Sequence, residues 1–220
     1  MLHDFRLAPD WNRDDVTAHL AKERYARVLD VGGSMGGWSF PYLSHYVDVQ
    51  ELPATARGRV QPFVGNVNSF ALWAKVLADV EQNGKFDFAI CTHTLEDLAN
   101  PALVCEMLPV VAKRGFVAVP SKYAELSRHE GPWLGWIHHR WVFDKCGEEF
   151  VAWPKLSFVE LLDWKPLAEK GHGIRSELRF WWEDRFDLRV VHGDYMGPDV
   201  KSVLGYFGEL LRTEEPAAIR

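Results

Sequence analysis

Short apolar runs alternate with longer amphipathic segments through the first half of the chain. Residues 14–24 predict a polar lead-in helix. Residues 26–31, Ala26-Arg27-Val28-Leu29-Asp30-Val31, form a mostly apolar run that ends at glycines. That is the pattern of a strand buried on both faces. A short helix is expected near Gly37. Residues 46–49, 60–64, 86–91 and 116–119 predict four further strands. Residues 69–82 repeat at helical spacing, with Leu72, Val76 and Val80 on one face. Residues 101–113 predict a helix, with Pro101 at its start and Gly115 just past its end.

Strand and helix alternating at this spacing predict an α/β fold with a parallel sheet and helices on both faces. Ligands of such sheets bind beyond the carboxyl ends of the strands, so chemistry is expected just after each strand. The second half breaks the pattern. Residues 121–144 are rich in Trp, His and Gly. Residues 149–153 and 177–192 read as strands, the latter as a hairpin turning near Glu183-Asp184. Residues 200–212 read as a final helix. No linker composition separates the halves. Residues 1–220 are therefore expected to form one domain, with an insertion and a β-rich C-terminal extension.

Composition narrows the function. At 220 residues, 47% hydrophobic and 25% charged, the chain can bury a core without disulfide or metal staples. A net charge of -6 argues against a general nucleic-acid binder, which needs a basic face to displace phosphate counterions. Cys91, Cys105 and Cys146 are too few and scattered for a disulfide framework. The amino-terminal residues carry no signal pattern, and no apolar run approaches the roughly 20 residues that span a bilayer. A cytoplasmic protein with no membrane partner is expected. Ten tryptophans are unusual. Trp11, Trp38 and Trp73 come early. Trp133, Trp136, Trp141, Trp153, Trp164, Trp181 and Trp182 crowd the second half. Trp164, Trp181 and Trp182 suit a core, whereas Trp133, Trp136 and Trp141 offer flat faces to a substrate.

The sharpest local signal is Asp30-Val31-Gly32-Gly33-Ser34-Met35-Gly36-Gly37, a strand running into a glycine turn. The dinucleotide pattern G-x-G-x-x-G fails because Ser34 takes the central glycine place, and no P-loop Gly-Lys-Ser/Thr follows. An NAD-dependent oxidoreductase is therefore disfavoured. The spacing resembles the D-x-G-x-x-x-G motif of class I S-adenosylmethionine-dependent methyltransferases, here Asp30, Gly32 and Gly36. Residues 86–98 and the Lys113-Arg114-Gly115 helix end are similar to the corresponding family segments, so the resemblance covers about residues 25–120. It implies a Rossmann-like methyltransferase fold in which residues 25–120 bind S-adenosylmethionine and residues 121–220 shape the acceptor pocket. It implies that Asp30, Gly32, Gly33, Ser34 and Gly36 form the cofactor loop. Asp48 would accept both ribose hydroxyls, with Glu51 in reserve, and the short gap from Asp30 requires an abbreviated first helix. Asn66 would meet the adenine, and Val49, Val67 and Thr92 would line the same site.

Methyl transfer needs an aligned acceptor and, for a hydroxyl, removal of its proton. Two segments offer the groups. In Thr92-His93-Thr94-Leu95-Glu96-Asp97, His93 sits at a strand end, and Glu96 and Asp97 either cap the next helix or line the acceptor site. In Trp136-Ile137-His138-His139-Arg140-Trp141, paired histidines sit beside an arginine and tryptophans. A subset of bacterial methyltransferase-like proteins is similar in pairing these two segments. His93, His138 and His139 are the candidate bases, although either of the paired histidines could instead pack in the core. If both lay on a strand they would face opposite ways. Glu96, Tyr123, Trp136, Arg140 and Trp141 are the candidate substrate contacts. Ser121 and Glu125 also flank the cleft edge, where Glu125 reads as a solvated loop residue. His93, Glu96, Asp97, His138 and His139 are metal-ligand types, but no tight spacing such as H-E-x-x-H joins them, so no metal is expected. The reading is methyl transfer to a small-molecule hydroxyl, sugar-like or a natural product. The competing reading is a non-catalytic module that binds a glycan or a partner protein. Nothing resembles the Asn/Asp-Pro-Pro-Tyr/Phe segment of amino-methylating nucleic-acid enzymes.

Overall fold

The computed structural model describes residues 12–33, 37–51, 58–129, 131–146, 149–164, 176–191, 199–208 and 210. Its elements run in the order α1 (Arg13–Glu23), β1 (Val28–Val31), β2 (His45–Asp48), β3 (Gln61–Val64), α2 (Phe70–Asn83), β4 (Phe88–Thr92), α3 (Pro101–Val111), β5 (Arg114–Pro120) and α4 (Lys122–Glu125). They continue with β6 (Trp141–Cys146), β7 (Glu149–Pro154), β8 (Glu177–Glu183), β9 (Leu188–Val190) and α5 (Val200–Tyr206).

Six strands form the main sheet in the order β3-β2-β1-β4-β5-β8. The first five are parallel, and β8 closes the edge antiparallel to β5. This is the mostly parallel sheet with helices on both faces that the sequence predicts. The winding reverses between β1 and β4, which opens a crevice at their carboxyl ends.

Alternation along each strand decides which helices cover which face. Leu29, Val31, Val47, Ala89, Cys91, Val117 and Val119 face α2 and α3, packing on Trp73, Val76, Val104 and Leu108. Val28, Tyr46, Phe88, Ile90 and Phe116 face the other way and meet Val16 and Leu20 of α1. Helix α1 begins where the Asn12 side chain accepts from the amides of Asp14 and Asp15, and Asp15 bonds back to Asn12 N. The expected abbreviation of the first crossover helix is plain, because residues 37–44 hold only a 3-10 turn at Phe40–Tyr42.

The second half departs from expectation. The hairpin expected over residues 177–192 does not form within its described part, residues 177–191. Strand β8 pairs with β5, whereas β9 pairs with β7 in a separate three-stranded sheet, β6-β7-β9. The reason is coverage. Phe180 and Trp182 pack into the α2–α3 side of the core while Trp181 packs on the α1 side, so β8 is apolar on both faces. Such a strand belongs in a two-sided sheet. Trp182 lies so close to its cross-strand partner that a Cβ on Gly115 would sit 2.7 Å from the indole. Phe143 of β6 and Phe150 and Ala152 of β7 pack the small sheet against the main core. Their neighbours Val142, Val151 and Trp153 face a second cluster with Leu134, Val159 and Trp164. The expected final helix is described over Val200–Tyr206, and its expected end lies outside the described residues.

Candidate active site

The carboxyl ends of β1, β2 and β3 hold the residues assigned to the cofactor. Asp30, the third residue of β1, is buried. Ser39 Oγ donates to its Oδ2, while Oδ1 has no hydrogen-bond partner among the described residues. Burial pushes this carboxyl up to about 6, with the nearby Asp48 charge adding to the rise. Gly32 follows with φ 74°, its amide donating to Val47 O at 2.8 Å. A Cβ there would come within 2.3 Å of the Thr94 side chain, so the turn needs glycine for both conformation and space. Gly33 presents its carbonyl to Tyr46 Oη at 2.5 Å. Ser34 and Gly36 lie outside the described residues.

Asp48 ends β2 half-buried, and its Oδ1 accepts the Gln50 amide at 2.8 Å. Val49 beside it is 63% exposed. Asn66 is exposed, its Oδ1 accepting the Asn68 amide at 2.8 Å. Val67 is in the core, and its carbonyl accepts the Trp73 indole N–H at 2.8 Å. Thr92, half-buried, ends β4.

His93 follows β4 with φ 51°. Its Nε2 is 2.6 Å from Glu177 Oε1 on β8, and its Nδ1 is 3.4 Å from Glu96 Oε1. The hydrogen bonds to Glu177 and Glu96 raise the imidazole to about 9. Arg13 also reaches Glu177, at 3.1 Å. A histidine held cationic in this way is a poor proton acceptor at neutral pH. Glu96 itself is buried and faces His93. Glu177 carried no signal in the sequence, since it lies in a strand-like run far from His93 in the chain.

This pair predicts a pH signature. His93 rises from its ordinary 6.5 to about 9 in the folded chain. Its contribution to stability is therefore whole below about 6.5 and lost as pH rises through 9. Glu177 is lowered from its ordinary 4.5, chiefly by the hydrogen bond from His93. Its contribution is present above 4.5 and lost as acid takes the pH through the lowered value. Glu177→Gln should bring the His93 titration, followed by imidazole NMR, down toward neutrality. The stability gap between the variant and the parent should be widest near pH 5–6 and close above pH 9. A gap that does not change with pH would contradict this account.

A second group gathers beside β4. Asp97 lies in the 3-10 turn Leu95–Asp97, and His138 and His139 lie in a turn just before β6. Because they are in a turn and not on a strand, the two histidines do not face opposite ways. Both Nε2 atoms sit 3.7 Å from Asp97 Oδ1. Two hydrogen bonds to backbone carbonyls pin the segments together. Arg140 N donates to Glu96 O at 2.7 Å, and Trp141 Nε1 donates to Leu98 O at 2.7 Å. His139 Nδ1 is 2.7 Å from Glu125 Oε2. Glu125 is 1% exposed, and its other oxygen takes Lys155 Nζ, which also donates to the carbonyls of Leu134 and Trp136. Glu125 is thus a buried partner of His139, contrary to the solvated loop residue expected. A carboxylate only accepts, so His139 Nδ1 donates its proton to Glu125 and Nε2 points to the Asp97 side.

The substrate-contact candidates divide. The Trp136 ring lies on His139, with centroids 4.9 Å apart, and on His129 at 4.4 Å. Arg140 is exposed. Trp141 is half-buried with its indole N–H already used. Tyr123 packs on the Leu126–Leu134–Trp153 cluster, and Ser121 caps α4 by accepting the Ala124 amide.

No protein-family model matches the chain, and no curated protein matches it. Among solved structures, it is similar to the N-terminal domain of EvdMO1, crystallised with SAH and D-fucose, at 12% identity and TM-score 0.39 over 92% of this chain and 73% of that one. It is similar to the methyltransferase domain of bacterial CtHen1-C at 16% identity and TM-score 0.36, over 54% and 69% of the two chains. It is similar to MycE methyltransferase of the mycinamycin biosynthetic pathway, in complex with Mg and SAH, at 13% identity and TM-score 0.41. That match covers 90% of this chain and 54% of MycE.

Proposed function

We propose that the protein is an S-adenosylmethionine-dependent methyltransferase whose acceptor is a hydroxyl of a small molecule, sugar-like or a natural product. One observation carries the reading. A buried acidic strand end and glycine turn (Asp30, Gly32), an accessible carboxylate (Asp48) and a carboxylate-backed histidine (His139) all follow the carboxyl ends of one doubly wound sheet or join the turn beside them. Ligands of such sheets bind at that edge. The cofactor would be held by the Asp30–Gly33 turn, whose buried Oδ1 lacks a partner among the described residues, by Asp48 at the ribose and by Asn66 at the adenine. When bound, it supplies a methyl group on a sulfonium centre that is already a good leaving group.

The chain's own task is to place the acceptor and take its proton. His139 is suited to that, with Nδ1–H fixed on Glu125 and Nε2 directed to the Asp97 side. Trp136 beside it offers a flat wall. Residues 25–120 then serve the cofactor and residues 121–220 the acceptor, within one domain. No helix among the described residues is long and apolar enough to cross a membrane. The three scattered cysteines support a reducing, cytoplasmic setting.

Calorimetry with S-adenosylmethionine and S-adenosylhomocysteine tests the cofactor. Saturable binding of one equivalent is expected, and no heat at millimolar ligand would sink the proposal. Transfer of a labelled methyl group into pooled hydroxylated metabolites tests turnover. Cofactor binding without transfer would instead favour the non-catalytic module.

A further inference from the structure

We propose that Asp97, His138 and His139 bind a divalent first-row transition-metal ion, with Glu125 as the buried carboxylate that orients His139. One ligand atom from each of the three residues lies within 4.8 Å of the others. The two Nε2–Oδ1 separations of 3.7 Å are too long for hydrogen bonds. They are close to the spacing of atoms that share an ion, since tetrahedral ligands at about 2.1 Å from a metal lie about 3.4 Å apart. An exposed ion pair is an insufficient reason for the convergence, because such pairs are worth little.

The surroundings are those of a built site. Metal-binding histidines hand their second N–H to a carboxylate, which fixes ring and tautomer. His139 does this with Glu125 at 2.7 Å, and Glu125 is held by Lys155 inside the protein. The metal-facing side remains accessible, with the His138 side chain 62% and Asp97 44% exposed. The backbone bond from Arg140 N to Glu96 O and the indole bond from Trp141 Nε1 to Leu98 O hold the two segments together without using the ligand side chains. Three protein ligands leave at least one position open, as in catalytic sites. Two imidazoles and one carboxylate select zinc, iron(II), cobalt(II) or manganese(II) over magnesium, which prefers an octahedral oxygen shell.

The consequence for turnover rests on the methyl-transfer reading, whereas the binding site does not. An acceptor hydroxyl on the open position would lose its proton to solvent more readily. Its oxygen would then bond to the methyl carbon as the carbon–sulfur bond breaks with its electron pair onto sulfur. The ion would thereby take over the role given above to His139.

The test uses the full chain, stripped with EDTA and titrated with Co2+ in the absence of cofactor. One ion per chain is expected, with visible d–d absorption from nitrogen ligation, displaced by Zn2+ and not by equimolar Mg2+. His138→Ala and Asp97→Ala change exposed side chains and should keep the fold by circular dichroism. Each of these, and Glu125→Gln, should weaken Co2+ binding about 10–100-fold. The proposal is overturned by the absence of a d–d band at millimolar Co2+, or by undiminished binding in the His138→Ala/His139→Ala double variant. Failure to bind S-adenosylhomocysteine would sink the methyl-transfer reading alone.

Discussion

Asp48→Ala is expected to cost S-adenosylhomocysteine at least about 100-fold in affinity, because each hydrogen bond to a charged group contributes about 1.5–3 kcal/mol, two ribose hydroxyls would lose their acceptor, and about 1.4 kcal/mol is tenfold. The folded chain should barely notice. Asp48 is half-buried at the end of β2, and its Oδ1 accepts the Gln50 amide in an exposed turn. Loss of its charge even relieves Asp30, whose carboxyl is pushed up in part by Asp48. Thermal melting of the ligand-free variant should therefore match the parent, while calorimetry shows the weakened binding. Asp48→Asn keeps one acceptor oxygen and should fall between. Parent-like affinity in Asp48→Ala would place the ribose elsewhere, with Glu51 the next residue to test.

Lys155→Ala is expected to destabilise the chain by about 3–5 kcal/mol, the usual cost of removing one partner from a buried ion pair. Lys155 ties Glu125 to the carbonyls of Leu134 and Trp136, so the 134–139 segment loses its anchor together with the charge. Urea denaturation reads the loss as a lower midpoint. The Lys155→Met/Glu125→Gln double variant should recover part of it, since neither charge is then left alone in a low dielectric. A loss under about 1 kcal/mol would show that water reaches Glu125 and that the ion pair behaves as a surface one.

Much of the β1–β5 half is legible as pattern. The strands beginning at Val28, Phe88 and Arg114 are apolar on both faces, and only a central position in a two-sided sheet satisfies such runs. The Asp30–Gly32 spacing located the turn after β1 because glycine there answers a local need, positive φ and the nearness of Thr94. Periodicity shows that a strand forms and not which strand it pairs with, so residues 177–192 read as a hairpin in the sequence alone. Strand β8 joined β5 because its Phe180, Trp181 and Trp182 needed cover on both sides.

The tryptophan surplus shows the same division. Its crowding after residue 132 is visible in the chain, but Trp153, Trp164 and Trp182 are core and Trp136 stands against the paired histidines. Nor does spacing along the chain reveal that Glu177 holds His93, or that Glu125 and Lys155 stand behind His139. The sequence by itself determined the strand-and-helix alternation and the glycine turn, since backbone sterics and burial periodicity act over a few residues. Only the tertiary structure decided the ionisable network, because a charge becomes a buried partner or a titrating group through groups that folding brings to it from distant segments.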